Sequence, residues 1–322
     1  MKFPQKKTIL ENAKLDFVNI DNVLSASKKE RASKISGYVL LKYPDSVDII
    51  LLREGNPIDS VRFIRDNRQV IPIEDVVKKA KTASSGLISI YETHPDVVKI
   101  LYTSFREKPI FKEKDASEVD VVKLIKKLVE LKYSGFFELR KGITFSYVVF
   151  EKGYAKKGYF QNNLGVPLSN EEFLKILLKS SQEEGIRISA FKAVLQGKNQ
   201  APPSTITLFL NVINDLSSRI SSIVGESLGK RTLAMAFDKT KELNEWLGGF
   251  SLKGFNIEGT TVVSLEDLSN GCAYLIKDLI EFYKPILGPR IDKIVKDTLK
   301  DYRFALKNMG FYENYEMNKY EE

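Results

Sequence analysis

The chain has 322 residues, 43% of them hydrophobic and 29% charged, with a formal net charge of +8. That length and apolar content suffice for two or three domains of about 100 to 200 residues each. A single cysteine, Cys272, excludes an internal disulfide framework and any cysteine cluster for zinc or iron, and it fits a reducing compartment. No apolar run approaches the roughly 20 residues that a membrane-spanning helix needs. The N-terminus MKFPQKKTILENAK is basic but lacks the apolar stretch of a signal peptide. These features predict a cytoplasmic protein without membrane attachment. Lys and Glu dominate the charged residues beside one His and four Met, a balance that leans towards a thermophile. The charge is uneven: residues 204–322 hold 15 Lys/Arg against 17 Asp/Glu, which leaves residues 1–203 with 35 against 25 and a net +10. A basic half is either a solvated lysine-rich exterior or an attractor of nucleic acid.

In chain order, Val23, Leu24 and the following KKERASK stretch predict a first helix. SGYVLLKYPDSVDIILLREG, from Ser36 to Gly55, comes next, and it recurs without a gap 98 residues later as SGFFELRKGITFSYVVFEKG, from Ser134 to Gly153. A repeat of turn residues with apolar positions in step predicts two copies of one fold. Gly37, Gly55, Gly135 and Gly153 are read as its structural turns. Within each copy a hairpin is expected, turning at YPDS or KGIT. Its returning strand is apolar on both faces, as a central covered strand requires. A third short strand follows near Ile58 to Phe63 and Ala155 to Phe160, and a second helix opens at Pro72 and Pro167. Ser169 with Glu172 three residues on forms a capping-box pattern. Gly86 to Tyr91 and Gly185 to Phe191 close the copies as strands. The helix before the second copy is amphipathic, with Val121, Leu124, Ile125 and Leu128 on one face and Lys123, Lys126 and Lys127 between them.

Helix, three strands, helix and strand is thus the order expected of each copy. The fold class is α+β: two duplicated modules of helices on an antiparallel sheet, followed by an α-helical bundle. The domains read as 1–110, including an N-terminal extension, 111–200 and 201–322. The Gly-initiated hairpin, the strand ending in Glu-Gly or Lys-Gly, the short strand and the second helix resemble the PATAN module over about residues 20–108 and 118–200. This is the N-terminal domain type of certain bacterial response regulators, also catalogued as a domain of unknown function. The resemblance implies an interaction module in signalling. No acidic pair, phosphoacceptor Asp and distal Lys over a βα alternation accompany it, so a phosphorelay role is not implied.

GKNQAPPST, from Gly197 to Thr205, reads as a linker. Ile206, Ile213 and Ile220, with Phe209, Leu216 and Ile223, form an a/d seam over nearly three heptads, which suits either a homodimer through the C-terminal helices or one buried face of a local bundle. SLED caps a helix from about Leu265 to Tyr283, and another starts near Pro289 and carries a stripe from Ile291 to Met309, ending at Gly310. Before Ser264, GGFSLKGFNIEG, from Gly248 to Gly259, predicts a loop or small hairpin. Trp246 and Phe250 there are core aromatics or partner anchors.

No catalytic, metal or cofactor residues emerge from these patterns. GESLGKRT, from Gly225 to Thr232, imitates a phosphate-binding loop but has three residues between its glycines instead of four, and Arg231 stands where a hydroxyl would hold magnesium. His94 in THPD reads as a helix cap, with Pro95 at the first position. Cys272 reads as buried. The expectation is a non-catalytic regulatory or scaffold protein with an unidentified protein partner. The alternative is nucleic-acid binding by Lys28, Lys29, Arg31, Lys126 and Lys127 on the two matched helices.

Overall fold

The computed structural model describes residues 1–29, 35–65, 67–161, 163–181, 185–192 and 198–321. They form two compact units: Met1–Val70 with Val76–Gly197, and Ile71–Asp75 with Lys198–Glu322. The class is α+β, with a helical C-terminal region.

The first copy runs β1 (Lys7–Lys14), α1 (Ile20–Lys29), β2 (Gly37–Lys42), β3 (Val47–Arg53), β4 (Asn56–Ile64), β5 (Asn67–Val70), α2 (Ile73–Thr82) and β6 (Leu87–Glu92). Helix α3 (Pro95–Arg106) follows. The second copy repeats the order as β7 (Phe111–Asp115), α4 (Val121–Glu130), β8 (Gly135–Lys141), β9 (Thr144–Glu151), β10 (Tyr154–Phe160), β11 (Asn163–Pro167), α5 (Asn170–Ser181) and β12 (Ile186–Lys192). Each makes a six-stranded antiparallel sheet of matching order, β1-β6-β2-β3-β4-β5 and β7-β12-β8-β9-β10-β11. The expected order therefore gains two strands per copy. The N-terminal extension is β1, paired with β6, and β5 and β11 lie before the second helices. Pro167 ends β11 instead of opening a helix, which starts at Asn170 behind the Ser169–Glu172 capping box.

The shared Ser-Gly and Gly positions each have a contact that explains them. Glu54 and Gly55 have φ of 48° and 78°, and Lys152 and Gly153 have 51° and 88°. These are two-residue hairpin turns with both central residues left-handed, where glycine is favoured. The Ser36 hydroxyl accepts from the Glu54 N–H at 3.2 Å, and the Ser134 hydroxyl accepts from the Lys152 N–H at 3.0 Å. Gly37 and Gly135 are not turns. They open β2 and β8, where a Cβ would stand 2.0 Å from the Tyr91 carbonyl oxygen and 2.1 Å from the Phe191 carbonyl oxygen of the adjacent strand. Lack of space, not backbone freedom, selects glycine at both places.

The two sheets share one core. Tyr38, Leu40, Ile49, Leu51 and Val61 of the first join Phe136, Phe145, Tyr147, Tyr159 and Phe191 of the second, and α3 contributes Val97, Val98, Ile100, Leu101, Tyr102 and Phe105. Helix α3 is buried over most of its surface for this reason. On its other face the second sheet packs Phe137, Leu139, Val148 and Phe150 with Leu128 of α4 and Phe173 and Leu177 of α5. Alternate residues of β8 and β9 thus serve different cores, as a period of two dictates.

The second unit comprises α6 (Pro203–Val224), α7 (Glu226–Leu243), a hairpin of β13 (Phe250–Lys253) and β14 (Asn256–Gly259), α8 (Leu265–Leu287), α9 (Arg290–Lys300) and α10 (Arg303–Asn308). Five of the six seam residues of α6 lie in this unit's own core, while Ile223 is exposed. Phe250 is 5% exposed and meets Trp246 edge-on at 6.1 Å, so Phe250 is a core residue and presents no surface to a partner. Ser264 caps α8 by accepting from the Asp267 N–H at 3.0 Å. The expected last helix is two, because the backbone leaves helical geometry at Tyr302. The GESLGKRT segment lies within α7, apart from Gly225 at its N-cap, and Gly229 is packed on the Ser221 side chain, so no loop is present there to cradle phosphate.

Candidate binding cleft

Helix α3 begins at His94, whose Nδ1 accepts from the Asp96 N–H at 3.2 Å. This bond satisfies one of the free donors of the first turn and leaves the imidazole proton on Nε2. Asp96 then projects from the first turn, where the helix dipole favours a negative charge. Its Oδ2 accepts from the Tyr159 hydroxyl at 2.8 Å and lies 3.7 Å from the Lys157 Nζ and 3.6 Å from the His94 Nδ1. Tyr159 is buried in the shared core, and burial, together with the carboxylate it donates to, pushes its phenol above the ordinary value.

A cavity of about 310 Å³ opens beside these contacts. One wall is α3, with Asp96, Lys99 and Ile100, and the floor is β9 and β10, with Val149, Glu151, Lys156, Lys157 and Tyr159. The side chains of Lys99 and Lys156 form no hydrogen bond or ion pair within the described residues. The cleft therefore combines three ammonium groups with the carboxylates of Asp96 and Glu151 and the half-buried apolar side chain of Val149. Its size suits a small ligand or one or two side chains of another protein. Tyr159, Asp96 and His94 are engaged with one another, so the site offers charge and hydrogen bonding, with no nucleophile beside a base.

At the other end of α3, Arg106 is held by the first sheet. Its Nε and Nη2 donate to the two oxygens of Asp59 at 2.8 and 2.9 Å, and the Asp59 side chain is 2% exposed. A second cluster surrounds Glu138, which is buried and accepts from the Tyr147 hydroxyl at 3.3 Å. Burial raises the Glu138 pKa, while Arg68, the Tyr147 bond and Arg140 oppose it. The cavity at this cluster is about 30 Å³, room for about one water.

The residues singled out in the sequence are not gathered here. Lys126 and Lys127 are exposed on α4, and Lys28 and Lys29 stand at the end of the described part of α1. The side chains of Lys28 and Lys29, and Arg31 altogether, lie outside the described residues. Trp246 is partly buried against the core of the second unit. The cleft residues were not legible beforehand, apart from His94 as a cap. Among the described residues no group of His, Cys, Asp and Glu is placed to hold a metal ion, and no helix is long and apolar enough to cross a membrane.

No family model and no curated protein matches the chain. Among solved structures it is similar to the DNA polymerase III subunit beta from Pseudomonas aeruginosa, at 10% identity over 63% of this chain and 73% of that one with a TM-score of 0.12. A ligand-bound DNA polymerase sliding clamp from Pseudomonas aeruginosa gives 8% identity, coverage of 60% and 66%, and a TM-score of 0.14. The pol III beta of Caulobacter crescentus gives 10%, 58% and 66%, and 0.12. At these TM-scores the likeness carries no argument about fold or function.

Proposed function

We propose that the chain is a regulatory or scaffold protein that works through contacts with another protein, in the cytoplasm and in bacterial signalling, with PATAN-like modules as its first unit. The observation that carries this reading is the cleft at the start of α3, where Lys99 and Lys156, unpaired among the described residues, stand beside the apolar Val149. A binding surface of this composition suits recognition more than reaction, since the Tyr159 hydroxyl, the Asp96 carboxylate and the His94 imidazole are occupied with one another. The test is affinity purification from the native organism with the wild-type chain and with Lys99→Glu/Lys156→Glu in parallel. A recurrent protein that is lost with the charge reversal supports the proposal. The same set of proteins in both eluates overturns it, as does nucleic acid as the only species that co-purifies.

A further inference from the structure

The internal repeat allows the cleft to be compared with its counterpart in the first copy. At the constant offset of 98 residues, Val149, Glu151, Lys157 and Tyr159 correspond to Leu51, Arg53, Asp59 and Val61. The pairing supports the equivalence, because Leu51 is in register with Asp59 as Val149 is with Lys157. In the first copy this place is filled by the chain itself. Tyr102, Phe105 and Arg106 from the C-terminal half of α3 join Leu51 and Val61 or bind Asp59, and the Arg106 guanidinium stands 5.0 Å from the Tyr102 ring centroid. In the second copy Asp96, from the first turn of α3, reaches Tyr159 and Lys157, Lys99 and Ile100 line the place from the same helix, and the rest of it is the 310 Å³ cleft.

The charges at the two places are inverted. Where the first copy presents Asp59 and receives a guanidinium, the second presents Lys157 and receives the Asp96 carboxylate at 3.7 Å, with Lys99 and Lys156 beside it. Where the first copy has Arg53, the second has Glu151. We infer that the cleft takes an acidic peptide segment of a partner protein. One carboxylate sits between Lys99 and Lys156, an apolar side chain lies over Val149, and Glu151 faces a neutral or basic residue of the segment. The occupant is a peptide because the equivalent place is occupied by protein side chains. The charged group is assigned as a carboxylate because that is the group already seated at this lysine cluster, where Asp96 Oδ2 lies 3.7 Å from the Lys157 Nζ. This inference rests on the proposal that the cleft is a protein-contact site.

The test is selection of short random peptides displayed on phage against the full chain, followed by binding of the enriched peptides to the wild type and to Lys99→Glu/Lys156→Glu. The expected result is enrichment of peptides with Asp or Glu at a fixed spacing from an aliphatic or aromatic residue, whose affinity falls about tenfold or more in the variant. No enrichment, enrichment without acidic residues, or equal binding by the variant overturns the inference. Inorganic phosphate is added at the ionic strength of a chloride control. Competition beyond the chloride effect would assign the cleft to phosphoryl groups and overturn the carboxylate assignment. If the native partner depends on Lys99 and Lys156 while the selected peptides carry no acid, the inference falls and the contact role stands; if neither depends on them, both fall.

Discussion

Replacing Arg106 by methionine keeps most of the side chain's length and apolar stem and removes the guanidinium from Asp59. The Asp59 carboxylate is 2% exposed and loses two charge-assisted hydrogen bonds of 2.8 and 2.9 Å, keeping the Ser60 N–H at 3.0 Å. Breaking a buried ion pair from one side costs about 3 to 5 kcal/mol, because the remaining buried charge loses its bidentate guanidinium. The Arg106 side chain is 28% exposed, which admits water and places the expected loss near the lower end, at about 3 kcal/mol. Urea unfolding measures this. Trp246 is the only tryptophan and lies in the second unit, so its fluorescence serves as an internal reference while far-ultraviolet circular dichroism follows the strands of the first. With a slope of about 3 kcal/mol/M, the midpoint of the first unit falls by about 1 M. Asp59→Leu/Arg106→Met removes both charges and should recover most of the loss, since an apolar replacement of a buried pair is often close to neutral. A single variant within about 1 kcal/mol of wild type, or a double variant as unstable as the single, refutes the view that this pair anchors α3.

Glu138 is raised above the ordinary glutamate value of 4.5 by burial, so the folded state favours its protonated form. Its contribution to stability is complete below 4.5 and is lost as pH rises through the elevated folded value. Glu138→Gln should therefore be progressively more stable relative to wild type as pH increases, and a difference in urea midpoints that is constant with pH contradicts this. Gly135→Ala places a methyl 2.1 Å from a backbone oxygen, and forcing atoms into packed space should cost about 3 kcal/mol or more. Gly248→Ala meets nothing within 4 Å, and thermal unfolding should find it within about 0.5 kcal/mol of wild type. Ser264→Ala removes the cap of α8 and should lower the stability of the second unit by about 1 kcal/mol, read from the Trp246 transition; no change would mean that the bond to Asp267 contributes nothing.

Much of the architecture was legible because its causes are local. The Ser-Gly…Gly frame reports a left-handed hairpin turn and a strand start with no room for a Cβ, and both demands fall on single residues. The His94 cap, the Ser169–Glu172 box and the Ser264 cap are contacts within three residues, visible in the linear order. Strands β3 and β9 announce themselves because both faces are covered, which demands continuous apolar residues. The edge strands β1, β7, β5 and β11 did not, since mostly exposed or half-exposed side chains leave no alternation to read.

By itself, then, the order of residues determined the duplication, the α+β class and most helix starts, because turns, caps and apolar periodicity act over a few neighbours. Only the tertiary structure decided that α3 lies between two sheets, held by Asp59 at one end and by Tyr159 and Lys157 at the other. The cleft follows from that placement. Its walls come from residues 96–100 and 149–159, which are not near each other in the chain, and its charge matters because one copy fills the equivalent place with Arg106 while the other leaves it open.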